Sequence, residues 1–349
     1  MTNRSTPTQL AIVGAGLVGQ RHAHVINALG NTTLAAIVDT AESGLAFASD
    51  LGKPAFSSIQ QMLESVRPDG MVICTPTTLH IEQGLESVAA GIPALIEKPI
   101  GTTSTESYKL VKAADAARVS LIIGHHRRHN PLIHAAKRCI EQGELGEIRS
   151  IHSQCWFYKP DDYFEVAPWR TQPGAGPISV NLVHDVDLIR YLCGDVVFVQ
   201  AQRAKSARGH DNEDLATAIL TLSSGALATI SVSDSVVSPW SWELTSKEYP
   251  IYPATNESCY RIGGTKGALS IPDLTIWTHE SRPDWWSPIL SRQLEFEPAD
   301  PLVAQMQHFV RVIHGEEKPL VSADEGYRSL RVIEAIQEAS LSGAKISLS

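Results

Sequence analysis

Near its start the chain reads Leu10-Ala11-Ile12-Val13-Gly14-Ala15-Gly16-Leu17-Val18-Gly19. A short apolar strand runs into a glycine-rich turn, and the turn opens a segment of helical character that ends before Gly30. A strand, a GxGxxG turn and a helix in this order are typical of a dinucleotide-binding unit. In such a unit Gly14 permits the tight turn, Gly16 lets the backbone approach a diphosphate, and Gly19 lets helix and strand pack closely. The N-terminus of the helix favours the negative charge of the phosphates.

The second predicted strand supports this interpretation. It covers residues 34–38 and is followed by Asp39, about 20 residues beyond the glycines, where such units carry the acid that binds the adenosine ribose. A carboxylate there accepts hydrogen bonds from the ribose and repels a 2′-phosphate, and no Arg or Lys follows it closely. We therefore expect NAD rather than NADP. The alternative is an ordinary strand–turn–helix unit with a surface aspartate.

The size, charge and composition of the chain exclude several classes of protein to which it could belong. Its 349 residues are enough for two domains with large cores. A net charge of −9 argues against non-specific binding to nucleic acid, which depends on basic surface. The polar start Met1–Gln9 has no signal-peptide core, and no apolar run reaches membrane-spanning length. Five scattered cysteines without CxxC spacing predict reduced thiols, so we expect a cytoplasmic protein.

Strand-like and helix-like segments alternate through the first third of the chain. Further buried strands are predicted at residues 71–74, 94–96 and 121–123. This alternation, with continuous apolar strands, is typical of a doubly wound parallel sheet, a Rossmann fold. In such a sheet ligands bind beyond the carboxyl ends of the strands. The residues predicted at this edge are Gly14, Asp39, Thr75, Glu97, Lys98 and Arg127.

From about residue 127 the pattern changes. A helix is predicted at Pro131–Gln142, and strands of alternating polarity dominate after Val196, with hairpin turns at residues 223–225 and 265–267. Two helices, 302–314 and 324–341, follow. We predict a Rossmann domain over residues 1–126 and an α+β domain with a largely antiparallel, open sheet over residues 127–349. The fold class is therefore α/β plus α+β.

Several short motifs stand in one order along nearly the whole chain. They are Gly14–Gly19, Thr75-Pro76 with His80, Glu97-Lys98-Pro99, Gly124-His125-His126-Arg127-Arg128 with Asn130-Pro131, and His184-Asp185. Each is a weak or moderate signal alone. The ordered set resembles the Gfo/Idh/MocA family, which takes its name from glucose–fructose oxidoreductase, inositol dehydrogenase and a rhizopine-catabolism protein.

The resemblance implies an NAD(P)-dependent oxidoreductase that transfers a hydride between nicotinamide and a CH–OH or C=O carbon of a sugar, polyol or related molecule. It also implies homodimers or homotetramers formed through the C-terminal sheet. In the family the lysine of the EKP motif lies beside the nicotinamide, and a histidine of the second domain completes the acid/base machinery. These positions match Lys98 and His184. The expected cofactor-binding residues are Gly14, Ala15, Gly16, Leu17, Val18, Gly19, Asp39, Thr75, Pro76, His80, Glu97, Lys98 and Arg127.

Hydride transfer from an alcohol needs a group that takes the hydroxyl proton and stabilises the alkoxide. Burial lowers the pKa of a lysine, so Lys98 can exchange a proton near neutral pH; the alternative is a surface lysine at a strand end. His184 lies on a helix predicted over residues 178–193. Many family members carry an aspartate four residues before this histidine, and here that position is Val180. We therefore expect Lys98 to be the principal proton-transfer group.

The second half supplies candidate substrate contacts. Asn181 lies one helical turn before His184, and Trp169-Arg170 lie in a loop rich in Pro and Gly. All seven tryptophans lie in this half, where indoles can stack on sugar faces or fill cores. The predicted substrate-binding residues are Lys98, Tyr158, Trp169, Arg170, Asn181 and His184. No metal is expected, because the histidines at 125, 126 and 129 lack the spacing of a zinc motif and a cysteine partner.

Two other functions fit the same sequence. A non-catalytic, cofactor-sensing regulator of the same fold is favoured by Val180 and disfavoured by the intact Glu97-Lys98-Pro99 and His184. A reductase or dehydrogenase of an aromatic or dihydrodiol-type substrate is favoured by the tryptophans. The sequence leaves the substrate, the direction of the reaction and the number of subunits open.

Overall fold

The computed structural model describes residues 6–348. Positions 1–5 and position 349 lie outside the described residues. The first five begin the polar stretch that was interpreted as lacking a signal-peptide core, and position 349 ends the predicted second domain. The chain forms two compact units. One unit joins the chain up to His129 with Asp300–Leu330, and the other joins Asn130–Ala299 with the chain from Arg331 onward. Among the described residues no helix combines the length and apolar character needed to cross a bilayer.

The first unit is built on a six-stranded sheet whose strands are short and apolar. They are β1 (Thr8–Val13), β2 (Thr32–Val38), β3 (Ala55–Phe56), β4 (Gly70–Ile73), β5 (Ala94–Ile96) and β6 (Leu121–Ile123). The helices that connect them are α1 (Leu17–Ala28), α2 (Glu42–Asp50), α3 (Ile59–Leu63), α4 (Thr77–Ala89) and α5 (Ser104–Ala117). The strand order is β3-β2-β1-β4-β5-β6 and every pairing is parallel. The predicted Rossmann sheet is confirmed.

The register of this sheet decides where the chain leaves each strand. Val13 pairs with Val38 and Ile73, Ile73 pairs with Ile96, and Ile96 pairs with Ile123. Because these residues end their strands and the strands are parallel, the segments that follow them emerge at one edge. We call this the carboxyl edge.

The second unit is built on a nine-stranded sheet. Its elements are α6 (Pro131–Glu141), β7 (Ile148–Trp156), α7 (Asp161–Glu165), α8 (Pro177–Val180), α9 (Leu182–Cys193), β8 (Val196–Lys205), β9 (Glu213–Leu222), β10 (Leu227–Ser233), α10 (Trp242–Thr245), β11 (Tyr260–Gly264), β12 (Gly267–Ile271), β13 (Thr275–Thr278), β14 (Leu290–Gln293) and β15 (Ile346–Ser347). The order is β14-β13-β12-β11-β7-β10-β9-β8-β15. Strands β7 and β10 are parallel, and the other described neighbours are antiparallel. The predicted α+β architecture is confirmed.

The structure differs from the predicted linear division at residues 300–330. Helix α11 (Pro301–Ile313) begins at Asp300, whose Oδ1 accepts the N–H of Leu302 at 2.8 Å. Its residues Met306 and Phe309 share a core with β1, so this helix belongs to the first unit. The final helix, α12 (Ala323–Ser342), contains the boundary at Leu330. An apolar helix face predicts burial but not the sheet against which the helix packs.

The helix predicted over residues 178–193 is interrupted. Helix α8 ends at Val180 and α9 begins at Leu182. Asn181 between them has a helical ψ of −51° but a φ of −104°, about 40° from the usual helical value. The N–H of His184 donates to the carbonyl of Asn181 at 3.2 Å, which is the spacing of a tight first turn. Val180 and His184 therefore lie on two short helices, on either side of Asn181.

Candidate active site

Two glycines of the first turn are required by close contacts. Gly14 has φ +89°, and a Cβ there would lie 2.8 Å from the amide nitrogen of Thr75. A Cβ at Gly19 would lie 1.9 Å from the carbonyl oxygen of Gly14, so any side chain there would separate α1 from β1. Both positions therefore serve the packing that the motif predicts.

Gly16 is different, because a Cβ there would meet no protein atom within 4 Å. Helix α1 begins directly after it without a side-chain cap and without an acidic residue in its first turn. Leu17 and Val18, in that turn, are 78% and 41% exposed. An uncapped helix N-terminus beside an open glycine offers N–H groups and a positive dipole end to a diphosphate. These residues fit the phosphates of a dinucleotide.

Asp39, which follows β2, is fixed beside the glycine turn. Its Oδ2 accepts the N–H of Ala15 at 2.6 Å, and its Oδ1 accepts the N–H of Ala41 at 2.8 Å. Gly44 packs against the carboxylate, since a Cβ there would lie 2.4 Å from Cγ of Asp39. Each carboxylate oxygen has a second lone pair. The group can therefore still accept hydrogen bonds from the hydroxyls of a ribose.

Oε1 of Glu97, which follows β5, lies within hydrogen-bond distance, 2.9 Å, of Nε2 of His22 of α1, and His22 is fully buried. Burial would raise the pKa of Glu97, but the hydrogen bond from His22 and the charges of His22, His126 and Lys98 outweigh it and lower the pKa to about 2. Glu97 is therefore an anion at neutral pH. Its Oε2 also accepts the N–H of Lys98 at 3.2 Å. Because attraction between charges is mutual, this carboxylate favours the ammonium form of Lys98.

The sequence analysis did not single out His22. It lies on the buried face of α1, where one polar residue among apolar ones was the available signal. The sequence pattern did not identify its partner, 75 residues further along the chain.

Thr75 and His80 lie where the chain passes from β4 into α4, and Pro76 caps the helix. The hydroxyl of Thr75 donates to Oε1 of Gln83 at 2.5 Å. His80 is 1% exposed, with Nδ1 2.8 Å from the carbonyl oxygen of Pro99 and Nε2 2.8 Å from that of Thr75. The sequence predicts direct contact between His80 and the cofactor. Its ring nitrogens face these two main-chain carbonyls, so His80 joins the turns after β4 and β5, and its contact with the cofactor stays a prediction.

Arg127 lies in a short 3-10 helix, His126–His129, directly after β6. It is 4% exposed, in the first unit with the glycine turn and Lys98. Its neighbour Arg128 forms an ion pair with Glu325 at 2.8 Å. The segment after β6 thus contributes buried positive charge to the unit that carries the carboxyl edge.

His184 lies in the first turn of α9 in the second unit and is 8% exposed. The next residue, Asp185, is fully buried and accepts hydrogen bonds from the hydroxyls of Tyr260 and Ser153. The Oδ1 atom of Asn181 is buried and has no hydrogen-bond partner among residues 6–348. This acceptor can take a hydrogen bond from a substrate hydroxyl.

Arg170 and Trp169 lie in a short 3-10 helix, Pro168–Thr171. The guanidinium of Arg170 stacks 4.0 Å from the ring centre of Tyr163, and its Nη1 donates to the Tyr163 carbonyl at 2.6 Å. Trp169 is 57% exposed and Tyr158 is 44% exposed, both in this unit. The predicted substrate residues of this loop thus present aromatic surface to solvent.

The sequence analysis missed a buried charge cluster in the second unit. Asp234 pairs with Nζ of Lys159 at 3.3 Å and with Nη1 of Arg208 at 2.9 Å. Burial lowers the pKa of Lys159, and the charge of Asp234 opposes that shift. Arg208 also donates to the carbonyl oxygens of Lys159 and Asp234, both at 2.7 Å. The cluster anchors the start of the loop that carries Arg170.

Comparison with known proteins adds a family to this geometry. The model of an oxidoreductase family with an NAD-binding Rossmann fold, GFO/IDH/MocA, matches residues 8–125, and the model of the GFO/IDH/MocA C-terminal domain matches residues 133–270. The rhizopine catabolism protein MocA of Rhizobium meliloti is 29% identical over 189 residues, which are 54% of this chain and 58% of that protein. The 1,5-anhydro-D-fructose reductase of Ensifer adhaerens is 24% identical over 347 residues, 95% of this chain and 96% of that protein.

A solved structure extends the likeness over both units. The WlbA dehydrogenase of Bordetella pertussis, crystallised with NADH and UDP-GlcNAcA, superposes with a TM-score of 0.79 at 27% identity. The match covers 98% of this chain and 99% of that one. The resemblance predicted from the ordered motifs is confirmed, and this chain belongs to the GFO/IDH/MocA family of NAD-binding oxidoreductases.

Proposed function

We propose that this oxidoreductase transfers a hydride between NAD(H) and a CH–OH or C=O carbon of a sugar, polyol or similarly hydroxylated small molecule. The observation that supports it most is the direct succession of an ionised, partly buried carboxylate, Glu97, and Lys98, which follow β5 of the sheet that carries the glycine turn. The substrate class is supported by the names of the relatives, a reductase of an anhydro sugar and a dehydrogenase crystallised with a sugar nucleotide.

NAD(H), held when bound by the glycine turn and Asp39, would provide the hydride acceptor or donor. Lys98, as an ammonium held beside Glu97, donates a hydrogen bond to the substrate oxygen and stabilises the alkoxide that develops on it. In the reductive direction Lys98 gives that oxygen a proton. His184 is assigned as the second acid/base group and exchanges a proton with the substrate. With Val180 in place of an acid, His184 has no carboxylate one turn before it to raise its basicity.

The remaining predicted residues are assigned to binding. Asn181 accepts a hydrogen bond from a substrate hydroxyl through its Oδ1 atom, and Arg170 donates to substrate oxygens. Trp169 and Tyr158 cover a sugar face or another flat substrate surface. Asp39 favours NAD over NADP, because a carboxylate repels the extra phosphate.

The test follows the absorbance of reduced nicotinamide with a panel of sugars, polyols and their ketones, using NADH and NADPH in parallel. Lys98→Met keeps the length of the side chain and removes its charge. We expect it to lower kcat by roughly 10²–10⁴-fold while the Kd for NADH changes little. His184→Asn should lower kcat by a similar order. The matched control is Lys109→Met, at an exposed lysine of α5 that pairs with Glu106 at 2.7 Å.

Three results would contradict the proposal. Unchanged kcat in Lys98→Met would remove the assigned role of Lys98. Tight NADH binding without turnover on any member of the panel would favour the regulator. Turnover confined to aromatic diols would instead favour a reductase or dehydrogenase of an aromatic or dihydrodiol-type substrate.

We also propose that the chain forms a homodimer or homotetramer through the sheet of the second unit. Along β9 and β10 buried residues alternate with exposed ones, and the exposed set includes Ile219 and Leu227. A sheet with one apolar-bearing face open to water is a candidate for pairing with another copy. The mass in solution, measured by light scattering, decides this; a monomer at all concentrations would contradict it.

A further inference from the structure

We propose that His80 is a positioning residue that works as a buried imidazolium. It ties the carbonyl oxygen of Thr75 to that of Pro99, both at 2.8 Å. In doing so it fixes the turn that carries Lys98. This inference rests on the proposed role of Lys98, and its test includes a measurement that does not depend on that role.

The protonation state follows from the identity of the two partners. A carbonyl oxygen can only accept a hydrogen bond, and a neutral imidazole has one donor nitrogen and one acceptor nitrogen. With His80 neutral, one ring nitrogen would direct its lone pair at a carbonyl oxygen 2.8 Å away. His80 is 1% exposed, so water cannot separate the two atoms. Both contacts are satisfied together when both ring nitrogens carry protons.

The two carbonyls belong to the two turns that matter most for the proposed chemistry. Thr75 lies against the glycine turn, since its amide nitrogen is 2.8 Å from the Cβ position of Gly14. Pro99 follows Lys98 directly. The imidazolium therefore links the segment beside the glycine turn to the segment that carries the lysine.

Lys98 is restrained on both sides by this arrangement. Its N–H donates to Oε2 of Glu97 at 3.2 Å, and the carbonyl of the next residue, Pro99, accepts from His80. Hydride and proton transfer depend steeply on the placement of the acting group, so a backbone fixed at both neighbours maintains the reactive geometry. With both ring nitrogens engaged, the contribution of His80 passes through these carbonyls rather than through a contact of its own with the cofactor.

The first measurement tests the charge directly in wild-type protein with NADH bound. Histidine labelled with ¹⁵N is incorporated, and the His80 signals are assigned by their loss in His80→Gln. We expect both ring nitrogens to show the shifts and one-bond couplings of protonated nitrogen at neutral pH. One protonated and one unprotonated nitrogen, the pattern of a neutral tautomer, would overturn the inference. This result does not depend on the role of Lys98.

The second measurement tests positioning. His80→Gln retains an uncharged amide donor but loses the two ring nitrogens whose fixed separation matches the two carbonyls. We expect kcat to fall by roughly 10–100-fold, more than the change in the Kd for NADH, because a misplaced lysine slows chemistry rather than binding. His80→Phe, which loses both donors, should fall further.

The matched control is His314→Gln, in the same unit. His314 bonds the hydroxyl of Thr8 at 2.9 Å, at the start of β1 and therefore at the opposite end of that strand from the glycine turn. We expect its kcat to match wild type. An unchanged kcat in a folded His80→Gln enzyme would overturn the positioning role. Activity retained in Lys98→Met would instead reject the proposed function and leave the charge measurement valid.

Discussion

The carboxyl edge of the first unit and the loops of the second unit hold their candidate functional residues by different means. At the carboxyl edge the functional side chains are held mainly by hydrogen bonds to main-chain groups. Asp39 is held by the N–H of Ala15, and His80 is held by two carbonyls. In the second unit Arg170 is held by the ring and carbonyl of Tyr163, within an irregular segment.

This difference has a consequence for tolerance to change. Main-chain contacts persist when neighbouring side chains are replaced, whereas stacking and ion pairs depend on the side chains themselves. The cofactor half can thus keep one geometry while the loops of the other half vary. We therefore expect substitutions in the first unit to change folding or NADH binding, and substitutions in the second unit to change the KM for the substrate.

The largest effect is expected for Gly19→Val. A Cβ at this position would lie 1.9 Å from the carbonyl oxygen of Gly14, which is backbone and cannot move aside. Helix α1 would separate from β1, and we expect no folded protein, or loss of both NADH binding and cooperative unfolding. Circular dichroism and thermal unfolding are the measurements.

Its controls lie in the same stretch of chain. Gly16→Ala meets no protein atom within 4 Å, and neither does Gly30→Ala. Both should fold normally, but Gly16→Ala should weaken NADH binding, on the order of tenfold, because a methyl group would enter the space assigned to the diphosphate. Equal NADH affinity in these two variants would argue against phosphates at Gly16.

An intermediate effect is expected for Asp234→Asn in the second unit. Removing the carboxylate leaves Lys159, whose side chain is 7% exposed, without its buried partner. Breaking such a pair should lower the free energy of unfolding by roughly 3 kcal/mol. We also expect a higher KM for the substrate with the Kd for NADH unchanged, since the cluster anchors the loop of Arg170.

The control for this variant is an exposed pair in the same unit. Glu147 contacts Arg149 at 2.7 Å with both side chains more than half exposed. Glu147→Gln should change the free energy of unfolding by less than about 1 kcal/mol. A loss of NADH affinity in Asp234→Asn would contradict the expectation that changes in the second unit leave NADH binding unchanged.

The last effect concerns pH and Glu97. The pKa of Glu97 is lowered to about 2 in the folded protein, against about 4.3 for an unfolded chain. A carboxyl with a lowered pKa adds stability above its unfolded pKa, and this contribution is lost as the pH falls toward the folded value. The advantage of wild type over Glu97→Gln in unfolding free energy should therefore shrink from about pH 5 toward pH 2. An advantage constant across acid pH would contradict the assigned ionisation.

The sequence was most informative where spacing alone determines geometry. The glycine spacing predicted the packing of Gly14 and Gly19, and apolar strands followed by polar residues predicted the carboxyl edge. Asp39 was predicted for the same reason, because it lies at a fixed distance along the chain from the turn, and its carboxylate lies beside that turn.

The features that were missed depend on contacts between distant segments. The apolar face of α11 did not reveal that it packs on the first sheet, and His22 did not reveal Glu97 as its partner. The break at Asn181 was missed because apolar residues continue on both sides of it, so the helical pattern persists through the interruption.

The discontinuous first unit has a consequence for how the protein is made. The ribosome delivers β1 to β6 first, but Met306 and Phe309 emerge only after Asn130–Ala299 have been synthesised. Until then the flank of the nascent sheet that they cover, including Leu10, is exposed to water and open to aggregation or chaperone capture. The first unit is thus begun first but is completed only when Leu330 has been synthesised, after most of the second unit, and a fragment ending near His129 would expose this apolar flank.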